Sequence, residues 1–367
     1  MAGCVGLSAE PTRTEKLVGR MTRPGERSGL EARTSSAARR PAARTGVWCL
    51  LLLVGLVSQA HAEWIRRITD GIMGTRITVE LWADDKDAGE RAIDAVLDEM
   101  RHVDETKSTY KPTSEVSLVN AKAAEGPMPI TQQLFDVLSA AHEYSVITDG
   151  AFDITYASVG YMYDFRNHVR PDEKQIAKAL PAVDYRHVLL DPQGHTVQFS
   201  QKGVRIDLGG IAKGYAVDRG IEALKSRGVT RGYVGAGGDS RIIGDRFGKP
   251  WMVGIRDPTK GEGEVISRIP LVNAAISTSG DYERYFEENG VRYHHIIDPH
   301  TGRSASKVRS TTVIGPYAMR TDGLSKTAFV LGPEKAMEIY DRIDDIDAII
   351  VKLDGTVIHS KGLSAAH

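Results

Sequence analysis

Between Val188 and Ser277 the chain reads as a series of short apolar runs divided by Gly, Asp or Pro. Only Ile211 to Arg227 within that span places apolar residues at helical spacing. The runs are Val188–Leu190, Thr196–Phe199, Val204–Leu208, Gly232–Val234, Ser240–Ile243, Met252–Ile255, Ser267–Leu271 and Ala274–Ser277. Parallel strands need a long crossover, usually a helix, between each pair. With so few helices, strict β-α-β alternation fails, and a mixed α+β fold with largely antiparallel sheets and packed helices is expected.

The first half adds the helices. Trp64–Thr69 and Ile77–Trp82 alternate as paired strands around the turn-like Asp70–Gly74. Ala88–His102 carries Ala92, Ile93, Val96, Leu97 and Met100 on one face and acidic residues on the other, the pattern of a helix lying on a core. Ser114-Glu115 can cap a short run, Val116–Asn120, and Thr131 caps a second amphipathic helix through Val146 that ends at Asp149-Gly150. Residues 151–160 read as irregular, Arg170–Lys178 as a surface excursion with a helix, and Pro333–Asp341 as a late helix. One body of two interlocked lobes is expected, with no internal repeat.

Residues 1–62 stand apart. A Ser/Ala/Arg-rich stretch closes with Arg39-Arg40 and Arg44, an apolar run spans Gly46–Ser58, and Ala60-His61-Ala62 follows. A basic region, an apolar segment too short to span a bilayer comfortably and an A-x-A ending are the three parts of a secretory signal peptide, cut after Ala62. Left uncut, the same segment is a membrane anchor, and Met21 is an alternative start. Both cysteines, Cys4 and Cys49, lie in this leader, so residues 63–367 have no thiol chemistry and no disulfide. Nine of the 47 Lys/Arg and four of the 48 Asp/Glu also lie in it, which leaves 38 against 44, a net charge near −6. That balance argues against nucleic-acid binding, which normally needs a basic face.

Three runs could carry chemistry. The first is Arg205-Ile-Asp-Leu-Gly-Gly-Ile-Ala-Lys-Gly-Tyr-Ala-Val-Asp218: a strand, a Gly-Gly turn and a helix start, where free N–H groups and the helix dipole suit a phosphate. A plain β-α turn is the alternative. The second is Tyr293-His-His-Ile-Ile-Asp-Pro-His-Thr-Gly302. On a strand His294 and His295 face opposite ways, so one of them is the functional residue. A zinc site lacks an H-E-x-x-H or Cys/His set, and a hydrogen-bonding structural role is the other alternative. The third is Ala318-Met-Arg-Thr-Asp-Gly-Leu-Ser-Lys-Thr-Ala-Phe-Val-Leu-Gly332, in which Asp322 is either a hard oxygen ligand suited to Mg²⁺ or a helix N-cap. Gly235-Ala-Gly-Gly-Asp-Ser240 resembles half of a dinucleotide fingerprint, but a strand follows where a helix is required, so a Rossmann fold is rejected.

Together with Met73-Gly-Thr75, Gly150-Ala-Phe-Asp153, Gly237-Gly-Asp239, Ile276-Ser-Thr-Ser-Gly280, His295-Ile-Ile-Asp-Pro-His-Thr-Gly302 and Thr321-Asp322, these runs occur in the order that resembles the FAD:protein FMN transferases, the ApbE-type flavinyltransferases. The resemblance covers Trp64 to Leu353. It implies an ApbE/T-fold-like catalytic domain over residues 63–367 and the transfer of FMN from FAD to a Ser or Thr hydroxyl of an acceptor protein, with AMP released. It implies FAD contacts at Met73, Tyr110, Ala151, Phe152, Asp153, Asp207, Lys213 and Ile297, and His295 as general base. Mg²⁺ would be held by the Gly210 carbonyl and Asp322. A Thr ligand common four residues after this Asp is Lys326 here; Ser325, Thr327 or water could take its place, or Lys326 could supply the charge directly. Family members are typically exported bacterial proteins, so the expected location is the periplasm and the expected partner an exported or membrane-bound redox protein. A Mg²⁺-dependent FAD pyrophosphatase and a periplasmic flavin-binding protein are the rival readings.

Overall fold

The computed structural model describes residues 62–261 and 263–364; the leader lies outside them. The expected antiparallel pairing is realised in one eight-stranded sheet. Its strands are β1 (Glu63–Ile72), β2 (Thr75–Ala83), β3 (Gly232–Ala236), β4 (Asp239–Ile243), β5 (Ala275–Gly280), β6 (Ser310–Gly315), β7 (Asp347–Val351) and β8 (Val357–His359). Spatial order equals chain order and every neighbouring pair is antiparallel. The sheet is open, with β1 and β8 as its edges. Residues 84–231 are inserted between β2 and β3, and residues 281–309 between β5 and β6.

Three helices lie against this sheet: α1 (Lys86–Lys107) on β1 and β2, α2 (Ala212–Lys225) on β3 and β4, and α3 (Ala318–Leu324) on β5 and β6. Consecutive residues of the central strands divide between two cores. Ile243 and Ala275 join the core that includes α1 and α2, whereas Ile242, Ile276, Ile314 and Ile349 pack with Trp251, Ile255 and Leu271 of the hairpin Trp251–Arg256/Val265–Leu271. Both faces are thus covered, and β4 and β6 are buried at every position, as strands between two layers must be.

Local signals set the element ends. Asp85 accepts from the Ala88 N–H at 2.7 Å and starts α1 earlier than its apolar periodicity suggests. Ser114 and Thr131 cap Glu115–Lys122 and Gln132–Ile147 as expected. The β1–β2 turn narrows to Met73 and Gly74, with φ of 54° and 65°; a two-residue hairpin whose central residues are both left-handed has the twist that matches its strands.

Two expectations are corrected. Val204–Leu208 is extended but belongs to no sheet. Its backbone is claimed elsewhere: Ile206 exchanges bonds with the Asn120 side-chain amide (2.7 and 2.8 Å), the Arg205 N–H donates to Ser158 Oγ (3.0 Å), and the Asp207 N–H to the Ile154 carbonyl (3.0 Å). An amide side chain offers the same donor and acceptor as a neighbouring strand. Asp322 is not an N-cap, because it sits inside α3. The free N–H groups of Ala318 and Met319 are instead satisfied by Asp218 of α2, at 3.0 and 2.9 Å.

Helices α2 and α3 touch where α2 has a glycine. A Cβ on Gly214 would lie 2.2 Å from the Ala318 carbonyl oxygen and 2.8 Å from Asp322 Cβ. Gly214→Ala must therefore push backbone against backbone, and a loss of about 1–3 kcal/mol is expected. Urea unfolding of the variant measures it; wild-type stability would contradict the close approach.

Candidate active site

The Gly209-Gly210 turn brings Asp207 to the start of α2. The Asp207 carboxylate accepts from Thr109 Oγ1 (2.5 Å), the Tyr156 hydroxyl (2.9 Å) and the Gly209 N–H (2.8 Å). Burial, followed by the Asp207 charge, pushes the Tyr156 hydroxyl far above its ordinary range and keeps it a donor. Tyr110, next to Thr109, is 87% exposed and within electrostatic reach of Tyr156. The helix N–H groups that make such turns anion sites are largely spent here: those of Ile211 and Ala212 donate to the Leu208 carbonyl, and that of Gly214 to Asp322 Oδ2 at 3.0 Å. Positive charge at this turn comes from side chains instead.

Those side chains form an alternating series. Asp239 of β4 pairs with Lys213, whose Nζ lies 3.7 Å from Asp322 Oδ2, and Asp322 Oδ1 pairs with Lys326. Lys326 Nζ also donates to the Asp322 carbonyl oxygen at 2.7 Å. Both carboxylates are buried, whereas the Lys213 and Lys326 side chains keep 28% and 16% exposure. Burial pushes Asp322 up, but the ammonium groups of Lys213 and Lys326 outweigh it and hold the carboxyl below its usual range. Burial and the Asp322 charge raise Asp239, with Lys213 acting against them. Burial lowers Lys213, and its two carboxylate neighbours more than reverse this, so it stays charged. A Cβ on Gly210 would sit 3.6 Å from Lys326 Cε and 3.3 Å from the Phe152 ring. The second ammonium-bearing side chain thus stands over the glycine turn.

The two adjacent histidines part as expected, although only His294 is in a strand, Val291–His294. His294 Nε2 meets the Ala305 carbonyl, and its Nδ1 accepts from the Ile296 N–H at 3.3 Å. His295 follows at a bend, and its Nδ1 is buried without a hydrogen-bond partner. Burial first, then His294, Arg284, Lys213 and Lys326, lower its pKa to about 3. The ring is therefore neutral at physiological pH, the form in which imidazole accepts a proton.

The remaining predicted residues divide into groups. Ala151, Phe152, Asp153 and Ile297 are buried. The Asp153 carboxylate is engaged by the Thr155 N–H (2.7 Å) and hydroxyl (2.6 Å) and the Tyr185 N–H (2.8 Å), which shapes the loop beside Phe152. Ile297 pairs with Ser304 in a short ladder. Met73 is at the tip of the β1–β2 turn, and a Cβ on the adjacent Gly74 would lie 3.5 Å from the Arg284 guanidinium. The hydroxyl of Ser325 faces inward, donating to the Asp322 carbonyl oxygen and contacting Ser279 Oγ, each at 2.7 Å.

As arranged, these residues do not fit a Mg²⁺ ion. Asp322 Oδ1 faces an ammonium, and the Ser325 hydroxyl is turned away onto the Asp322 carbonyl oxygen and Ser279.

The profile of the ApbE family matches residues 73–350, from the β1–β2 turn through Asp322 and into β7. This chain belongs to the ApbE family. Among its relatives, a FAD:protein FMN transferase of Vibrio cholerae is 32% identical over 83% of this chain and 92% of its own length. Another from Haemophilus influenzae is 35% identical over 71% and 78%. The crystal structure of an ApbE protein from Thermotoga maritima superposes with a TM-score of 0.76 at 34% identity, covering 83% of this chain and 99% of that one. The apo form of the Pseudomonas stutzeri flavinyl transferase ApbE gives 0.71 at 29%, covering 83% and 96%.

Within this ApbE-family site, sequence reasoning gave no role to Asp239, Arg284, Thr109 or Tyr156. Asp239 had a signal, since it follows Gly237-Gly238, and a lysine in the buried first turn of a helix needs a counter-charge. Arg284 had none; it reaches the site because β5 runs directly into residues 281–284.

The depressed histidines have a consequence for stability. The unfolded chain binds their protons near the ordinary pKa of 6.5, the folded chain only toward about 4 for His294 and about 3 for His295. Stability is therefore full above the unfolded value and is lost as pH falls through this window. His295→Gln is expected to flatten that loss between about pH 6.5 and 4.5, as read from urea midpoints; an unchanged slope would contradict the buried, neutral His295.

Proposed function

We propose that this chain transfers FMN from FAD to a Ser or Thr hydroxyl of an acceptor protein and releases AMP. The observation that carries the reading is a group of cations and a neutral base: Lys326 over the glycine turn, Lys213 in the helix that follows it, and Arg284 and a neutral His295 with an unpartnered Nδ1 within electrostatic reach of both lysines. Cations around a pyrophosphate and a base beside them are what phosphoryl transfer to a hydroxyl requires. The naming of relatives as FAD:protein FMN transferases supports the same reaction.

In the proposed step the acceptor oxygen bonds to the phosphorus of the FMN half. The bond from that phosphorus to the bridging pyrophosphate oxygen breaks, and the oxygen departs with AMP. The hydroxyl proton passes to His295, whose low basicity rises as the pyrophosphate offsets the surrounding cations. Lys213 and Lys326 face the phosphate charge, Asp207 fixes the turn, and Phe152, Met73 and Tyr110 border the flavin nucleotide. The resemblance implies Mg²⁺ as well, but the residues around Asp322 seat an ammonium. We also propose export to the periplasm through the residue 1–62 leader and an exported or membrane-bound redox protein as acceptor. Among the described residues no helix is long and apolar enough to cross a membrane.

Mass spectrometry of a co-expressed acceptor tests the reading. His295→Ala is expected to keep FAD binding and to lower covalent flavinylation by about 10²–10⁴-fold, the usual worth of a general base. An unchanged rate would remove His295 from that role. Rapid FMN release from FAD without acceptor would favour the pyrophosphatase reading, and FAD left intact with acceptor present would favour a carrier.

A further inference from the structure

We propose that the Lys326 ammonium is the resident cation of this site: it fills the seat on Asp322 that a divalent ion would need, so flavin transfer by this chain proceeds without a metal bound there. The inference rests on the transferase reading and deepens it. Its first support is the occupancy of Asp322. Oδ1 is taken by Lys326, while Oδ2 receives the Gly214 N–H at 3.0 Å with Lys213 Nζ 3.7 Å away, so a metal on either oxygen would have to displace or crowd an ammonium group. A hard divalent ion needs several oxygen donors, carboxylate first among them.

The neighbouring hydroxyls give the second support. Ser325 Oγ donates to the Asp322 carbonyl oxygen and contacts Ser279 Oγ, and Thr327 Oγ1 donates to the Leu324 carbonyl oxygen at 2.8 Å. Both are fully buried and engaged elsewhere, Ser325 against Ser279 of β5 and Thr327 on the preceding backbone, so neither replaces a ligand at position 326. Lys326 also caps the Asp322 carbonyl oxygen, which removes a further donor.

Charge balance is the third support. Asp239, Lys213, Asp322 and Lys326 sum to zero, and Arg284 adds a further positive charge close enough to act on Lys213. A divalent ion added beside two ammonium groups and a guanidinium meets repulsion in a poorly screened setting. A Thr at 326 would instead leave this group of four positions at −1, a balance that favours a metal. Lys326 Cε stands 3.6 Å from the Cβ position of Gly210. The ammonium is thus placed to meet charge on the departing AMP phosphate as the bridging P–O bond breaks.

Two readouts test this, one of them independent of turnover. Mn²⁺ titration followed by electron paramagnetic resonance, with AMP present, is expected to show no stoichiometric site in the wild-type protein and one bound ion in Lys326→Thr. Flavinylation by the wild-type enzyme is expected to survive EDTA. In EDTA, Lys326→Thr should lose about a hundredfold or more, the scale of removing a preorganised charge contact, and recover with Mg²⁺. Lys326→Arg should stay resistant to EDTA, which keeps the test open if the Thr variant folds poorly. Stoichiometric Mn²⁺ binding by the wild type, or wild-type flavinylation abolished by EDTA and restored by Mg²⁺, would overturn the proposal. So would a folded Thr variant that matches the wild type in EDTA, since Lys326 would then be a structural partner of Asp322 alone. If no flavinylation occurs under any condition, the transferase reading fails, and the Mn²⁺ titration still decides the cation.

Discussion

Everything at the candidate site turns on one buried carboxylate. Asp322 sits in the interior of α3, receives the Gly214 N–H of α2 and is flanked by Lys213 and Lys326. A buried carboxylate is costly unless paired and hydrogen-bonded, and removing one partner of such a pair costs about 3–5 kcal/mol. The fold meets that condition by letting two helix backbones touch at a glycine, with the end of α3 capped in return by Asp218 of α2. The helices that carry Lys213 and Asp322 are thereby fixed to each other before any ligand arrives. Asp239, at the start of β4, ties the same lysine to the central sheet.

This frame explains why the site's positive charge resides in side chains while its helix terminus is quiet. The N–H groups of Ile211, Ala212 and Gly214 are spent on holding the turn and Asp322. Burial first, and then His294, Arg284, Lys213 and Lys326, lower the basicity of His295. In the proposed reaction the part of that lowering due to the cations is the part an anionic pyrophosphate would offset.

Much of the fold was legible because it rests on local rules. The antiparallel order followed from the scarcity of helices between strands, and Asp85, Ser114 and Thr131 mark helix starts through their side-chain oxygens. Val204–Leu208 misled because its alternation is real while its partners, Asn120, Ser158 and Ile154, come from distant segments. Asp322 resembled an N-cap because its sequence context gives no hint that Asp218 already caps that helix. Of the sequence motifs, the Gly150–Asp153 run and the Asp322 run reach the glycine turn, through Phe152 and Lys326. The inward turn of Ser325 depends on Ser279, a residue of β5, and no spacing rule connects the two. Arg284 was invisible for the same reason.

The central claim is that the glycine turn, the two lysines and His295 form one flavin nucleotide site. A crystal structure of this chain with FAD bound tests it most directly. The pyrophosphate is expected over Gly209-Gly210, in contact with both the Lys213 and Lys326 ammonium groups, with His295 facing the phosphate of the FMN half. FAD seated elsewhere, such as the cavity of about 360 Å³ lined by Tyr215, Arg241 and Tyr317, or His295 turned away from the FMN phosphate, would contradict it.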